Sequence, residues 1–158
     1  MCGGMKPGRT LKAVIPGGSS VPIMTAAETE DCLLDYEGVV ARGSMLGSAG
    51  MIVMDDSTDM VYQIWRLARF YAHESCAQCT QCREGTAWTT KILERILAGK
   101  GKASDLDLLL SLSENMTGKT ICVLSDSCAA PIVSGIAKFR SEFDAYLSGA
   151  RQPALAMA

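Results

Sequence analysis

The chain has 158 residues, 48% hydrophobic and 20% charged, with a formal net charge of −2. That length suits one or two small domains with a real core. The charge balance leaves no basic footprint for nucleic acid, and no apolar run approaches the ~20 residues that a bilayer-crossing helix needs.

Residues 1–56 carry Gly and Pro punctuation and short apolar runs. Leu11-Lys12-Ala13-Val14-Ile15 stops at Pro16-Gly17-Gly18, and Met51-Ile52-Val53-Met54 is bounded by Gly50 and Asp55. Each run predicts a strand. Between them, Asp31-Cys32-Leu33-Leu34 is expected as a short helix or an extended segment, and Gly43 to Gly50 as a turn feeding the second strand. Two strands alone make a poor sheet, so this domain reads as lacking its first half.

From 57 to 148 the period changes to that of helices. Met60, Val61, Ile64, Leu67, Ala68 and Tyr71 share one face, with Ser57 placed to cap a first helix running to about Ala72. A second carries Trp88, Ile92, Leu93, Ile96 and Leu97 and ends at Gly99. Ser104 and Asp107 resemble a capping box for a third, with Leu106, Leu109, Leu110 and Met116, stopped near Gly118. Pro131 suits the first turn of a fourth, whose stripe is Ile132, Val133, Ile136, Phe139, Phe143 and Leu147. Residues 149–158 are expected to form a flexible tail. The fold class is therefore α+β, a small sheet domain followed by an up-down bundle of four helices.

The chemistry lies in one run, Cys76-Ala77-Gln78-Cys79-Thr80-Gln81-Cys82, with Cys122 and Cys128 far downstream. Three thiolates at C-x2-C-x2-C spacing, closed by a remote fourth, suit a cubane iron–sulfur cluster, because the backbone must curl around one face of a compact core. Structural zinc usually draws its thiolates as two separated C-x2-C pairs. A disulfide framework fits poorly with seven cysteines and no signal segment. In an up-down bundle the first and third connections lie at the same end, so Cys76, Cys79 and Cys82 meet the downstream cysteines there. Spacing alone leaves the fourth ligand open between Cys122 and Cys128; Cys128 lies nearer Pro131, much as a proline follows the last ligand in bacterial ferredoxins.

The stretch from about Lys12 to Leu147 resembles the C-terminal part of the flavin-carrying, NADH-oxidising subunit of respiratory complex I. The matching runs are Ala13-Val14-Ile15-Pro16-Gly17-Gly18-Ser19-Ser20, Gly43-Ser44-Met45-Leu46-Gly47, Phe70-Tyr71-Ala72-His73-Glu74-Ser75-Cys76, Cys82-Arg83-Glu84-Gly85 and Ile121-Cys122-Val123-Leu124-Ser125-Asp126. The resemblance implies that residues 1–56 are the later half of a soluble-ligand-binding, ubiquitin-like β-grasp domain. It also implies that the bundle holds a [4Fe–4S] cluster through Cys76, Cys79, Cys82 and Cys122. Departures are Ala77 where the family has Gly, Gln81 where it has Pro, Ala130 where it has Trp, and Cys128 where it has a small residue. None removes a ligand, although changes beside the sulfurs alter the hydrogen bonding that sets a potential.

The resemblance further implies an electron-transfer module of NADH–quinone oxidoreductase: the cluster accepts electrons from NADH-reduced FMN and passes them to the next cluster. The FMN and NADH sites of such a protein lie in an N-terminal α/β domain, to which nothing here corresponds, since Gly43 to Gly50 is neither G-x-G-x-x-G nor a P-loop. The chain is thus expected to be a fragment or split-gene product, inactive alone. Its partners are then a flavin- and NADH-binding domain or chain and other iron–sulfur subunits of the peripheral arm, with no nucleic acid and no direct membrane span. Its location is cytoplasmic, at the cytoplasmic face of the inner membrane. The same module of an NAD-linked hydrogenase or formate dehydrogenase, or a zinc-stabilised interaction domain, is the alternative.

Other residues have plain readings beside functional ones. His73 either bonds a cluster sulfur or sits idle at a helix end; Arg83 either neutralises cluster charge or pairs with a nearby acid. Trp65 and Trp88 fall at core positions. Cys2, Cys32 and Cys128 are expected as non-ligand thiols, and the nine methionines as gap fillers.

Overall fold

The computed structural model describes residues 3–155, so Cys2 lies outside the described residues. The chain divides into two compact units, Met1–Thr58 and Asp59–Ala158.

In the first unit, β1 (Leu11–Ile15) lies between β2 (Met24–Thr25) and β3 (Ile52–Asp55), antiparallel to both. Val14 faces Met24 on one side and Val53 on the other, and a bulge falls between Leu11 and Ala13. The two runs of apolar residues are strands as their composition predicts. The two-residue β2 escapes sequence reading because it is too short to show a period; Thr25 ends it and caps the helix that follows. Two short helices, α1 (Ala26–Thr29) and α2 (Tyr36–Ala41), flank Asp31-Cys32-Leu33-Leu34, which is not itself helical. Their caps explain this: Thr25 and Glu28 form a capping box, and Asp35 accepts from Gly38 N.

Gly17 makes the glycine-rich segment possible. A Cβ there would stand 2.7 Å from the Leu46 carbonyl oxygen and closer still to that of Met45, so only glycine lets residues 45–48 lie against the end of β1. Gly18 N donates to Gly50 O at 2.8 Å, and the segment serves as the turn that leads into β3.

The second unit contains α3 (Met60–Glu74), α4 (Thr80–Leu97), α5 (Ser104–Met116), α6 (Leu124–Lys138) and α7 (Arg140–Leu147). Helices α3 and α5 each pack on both α4 and α6, and α7 closes on α3, α4 and α6. The core contains Met60, Ile64, Leu93, Ile96, Leu106, Leu109, Ile132 and Phe143, all under 2% exposed. Each such side chain contributes roughly 1.5–3 kcal/mol when removed from water, and this burial holds the helices together.

Several expected ends move. Asp59, not Ser57, caps α3, accepting from Tyr62 N at 3.0 Å, because Ser57 is already held by Asp55. At α5 the expected box of Ser104 and Asp107 is absent; the buried Asp105 instead accepts from Lys102 N at 2.8 Å. The fourth helix begins at Leu124, and Pro131 lies inside it. Proline removes one rung of the ladder, yet Ser125, Cys128 and Ala129 are buried, and that packing holds the turns before it. The helix breaks at Phe139, where ψ is 29°, and resumes as α7. The expected flexible tail instead turns back on the helices as far as it is described: Arg151 bonds Asp59 and Glu142, and Ala154 N donates to Leu97 O at 2.9 Å.

Candidate metal centre

Two connections carry the candidate ligands. After α3, Ser75 takes an extended conformation and ends the helix, and Ala77 follows with φ at +64°. That left-handed turn is a position where glycine is usual, and it folds Cys76 to Cys79 into a tight loop. Cys79 stands at the start of α4 and Cys82 in its first turn. The second connection, between α5 and α6, carries Cys122 one residue before the N-cap Val123.

These two connections meet. Ile121 N–H points at Cys79 Sγ at 3.5 Å, although the two residues are 42 positions apart. A backbone N–H directed at a sulfur is the contact a thiolate accepts, and the starts of α4 and α6 both present the positive end of a helix dipole to this region. Cys76 and Cys122 are exposed, Cys79 is half-buried, and Cys82 is 7% exposed. Among the described residues no three His, Cys, Asp or Glu side chains already form a closed ligating cluster. What the fold brings together is the Cys79 turn with the loop of Cys122.

Neighbouring residues fix that loop. Thr120 Oγ1 donates to Cys122 O at 2.8 Å and lies 2.6 Å from Ser125 Oγ, which donates to Met116 O. Asp126 accepts from Gly118 N at 2.9 Å. Gly85, the last residue of the Cys82-Arg83-Glu84-Gly85 run, admits the end of α5: a Cβ there would stand 2.5 Å from Met116 Sδ. Sequence reading missed the roles of Ser75 and Thr120, whose partners lie close by in irregular loops that show no period, and the approach of Gly85 to Met116, which joins residues far apart along the chain.

Cys128 is fully buried in α6, and burial together with the nearby Cys82 pushes its thiol up to about 12. A thiol held protonated in the core packs as a small apolar side chain. Cys32 lies in the first unit with its Sγ 3.5 Å from Leu33 O. His73 is 85% exposed and pairs with Glu74 at 3.0 Å. Arg83 pairs with Glu84 at 2.9 Å and donates through Nη1 to Ala77 O at 2.9 Å, so it latches the cysteine loop from outside. Trp65 is buried and donates to Glu94, whereas Trp88, expected in the core, is 52% exposed. Its face of α4 turns to solvent beside Leu112 and Met116.

Residues 62–146 match the family described as the NADH-ubiquinone oxidoreductase-F iron-sulfur binding region. The chain belongs to this family. It is 48% identical over 144 residues to one of two NADH-quinone oxidoreductase F subunits of Rhizobium meliloti, covering 90% of this chain and 33% of that protein. Against the F subunit of the Streptomyces coelicolor enzyme it is 49% identical over 149 residues, covering 94% and 33%. The chain thus spans about a third of the length of these curated relatives. Its fold superposes on an NAD+-reducing [NiFe]-hydrogenase in the H2-reduced state with TM-score 0.78 and 33% identity, covering 87% of this chain and 23% of that one. No helix among the described residues is long and apolar enough to cross a membrane.

Proposed function

We propose that this chain is the iron–sulfur part of an NADH–quinone oxidoreductase F subunit, with Cys76, Cys79, Cys82 and Cys122 as the ligands of a [4Fe–4S] cluster. The observation that carries this reading is the approach of Ile121 N–H to Cys79 Sγ, which joins the loop of the clustered cysteines to that of the remote one. The donor set fits, since all four groups are thiols and the N–H and two helix starts suit a negatively charged core. A cluster bound there supplies one-electron storage between a two-electron donor and a one-electron chain. The protein's own residues fix its position and surroundings: Arg83 and Thr120 hold the two loops, and Cys82 keeps one side of the site dry.

In this reading electrons come from FMN reduced by NADH, both bound by a flavin domain of the complete protein, and leave for the next cluster in a partner within the peripheral arm. The first unit is part of a β-grasp domain covering residues 1–56. Residues 57–148 form an up-down four-helix bundle, with α6 and α7 together as its fourth helix. The complex works at the cytoplasmic face of the inner membrane. An NAD-linked hydrogenase module is the second reading, favoured by the structural likeness at TM-score 0.78. The 48% identity to a component of a quinone oxidoreductase, against 33% to that hydrogenase, supports the respiratory role.

The test is anaerobic reconstitution of the chain, followed by iron, sulfide and zinc analysis. About four irons and four sulfides per chain are expected. Replacing Cys76, Cys79, Cys82 or Cys122 by Ser should each deplete iron, while Cys128→Ser retains it. Stoichiometric zinc without sulfide, or iron lost in Cys128→Ser and kept in Cys122→Ser, overturns the assignment.

A further inference from the structure

The geometry points to Ser75 as a potential-setting residue, its hydroxyl donating to the Cys82 sulfur and favouring the reduced state of the cluster. The proposal rests on the ligand reading above. Ser75 Oγ lies 3.3 Å from Cys82 Sγ, across the mouth of the loop. Ala77 N donates to the same Oγ at 3.3 Å. That N–H occupies a lone pair of the hydroxyl and leaves its proton for the sulfur. When Cys82 ligates iron as a thiolate it has no proton to give, so the direction of this bond is settled: oxygen donates and sulfur accepts.

Local structure holds the serine there. Ser75 ends α3 in an extended conformation, and the left-handed turn at Ala77 brings its N–H back to Oγ. Arg83 Nη1 holds the carbonyl of the same Ala77 at 2.9 Å. Cys82 also differs from the other candidate ligands in access to water. Cys76 and Cys122 are exposed, where water can donate to their sulfurs, and Cys79 receives Ile121 N–H. Cys82, at 7% exposure, depends on Ser75, and no water readily takes the hydroxyl's place.

The effect on electron transfer has a definite sign. A cluster held here would take up one electron and give the same electron on; no covalent bond would form or break, and the Ser75 proton would stay on Oγ. Reduction raises the negative charge on the sulfurs, so a donated hydrogen bond stabilises the reduced state more than the oxidised one. Loss of the hydroxyl must therefore lower the midpoint potential.

The experiment compares wild type, Ser75→Ala and Ser75→Thr after reconstitution, by iron and sulfide content, potentiometric EPR titration, and ENDOR in H2O and D2O. Expected for Ser75→Ala is unchanged iron, a reduction equilibrium about tenfold less favourable, equivalent to ~59 mV for one electron, and loss of one exchangeable proton coupling. Ser75→Thr, which keeps the hydroxyl, should restore both. An unshifted potential with iron intact overturns the role of Ser75 and leaves the cluster assignment standing. Iron lost in Ser75→Ala and not regained in Ser75→Thr also overturns it, because Ser75 is then a loading residue only. Wild type without iron sinks the cluster reading itself.

Discussion

Tyr146, near the end of α7, donates its phenol proton to Asp59 Oδ2 at 2.5 Å, tying the last helix to the cap of α3 across 87 positions of sequence. The same Asp59 accepts from Tyr62 N, and Arg151 pairs with it at 3.2 Å while standing over the Tyr146 ring. One carboxylate thus caps a helix and anchors the C-terminal segment together.

Tyr146→Phe keeps the buried ring and removes that donor. The expected loss is about 1–2 kcal/mol, since the Asp59 carboxylate keeps its other partners, read as a lower midpoint in urea unfolding. Burial, then the hydrogen bond to Asp59 and its charge, push the phenol well above its ordinary value of 10.0. A raised pKa in the folded state means that the unfolded chain loses its proton first. The contribution is complete below about pH 10, where the unfolded tyrosine begins to ionise, and is lost as pH rises toward the folded value. Tyr146→Phe should therefore flatten the alkaline fall in stability; an unchanged alkaline profile would show that this phenol is not responsible.

Asp105 offers the acid-side counterpart. It is 2% exposed, accepts from Arg95 at 2.5 and 3.1 Å, and also accepts from Lys102 N. Burial raises its pKa, but the hydrogen bonds from Arg95 and Lys102 and their charges outweigh this and hold it below the ordinary 3.8. A depressed pKa contributes stability above the unfolded value, lost as pH falls below 3.8 through the folded one. Asp105→Asn should cost about 2 kcal/mol at neutral pH, less than for a fully buried pair because Arg95 reaches solvent. Thermal melts followed from pH 7 into acid should show the gap between wild type and variant holding above pH 3.8 and narrowing below it; a constant gap at every pH would contradict the ionic role.

Gly85 and Met116 form the third pair. Gly85→Ala gains about 1 kcal/mol of helix propensity, but its Cβ would stand 2.7 Å from Met116 Cγ, too close unless the buried Met116 side chain shifts. The net expectation is a loss of about 1–2 kcal/mol. Met116 also presents the carbonyl that Ser125 bonds beside the Cys122 loop, so the displacement should hasten iron loss to a chelator. A double-mutant cycle with Met116→Ala should show coupling of at least about 0.5 kcal/mol, and strict additivity would rule out the contact.

What the sequence determined by itself is what short spacing can express. The C-x2-C-x2-C run places three candidate thiols within seven residues, and α3, α4 and α5 follow from apolar residues every three or four positions. Local signals also misled where a stronger partner intervened: Ser57 yielded the cap to Asp59, and Pro131 entered a helix whose first turns are held by buried Ser125, Cys128 and Ala129. Only the tertiary structure decided that Ile121 N–H meets Cys79, that Cys82 is shielded from water, and that Tyr146 closes on Asp59. Those contacts join residues 42 and 87 positions apart in two cases, and in the third depend on how helices bury one face of α4. Neither distance across the fold nor exclusion of water leaves a periodic trace along the chain, because both arise from the closure of the helices on one another.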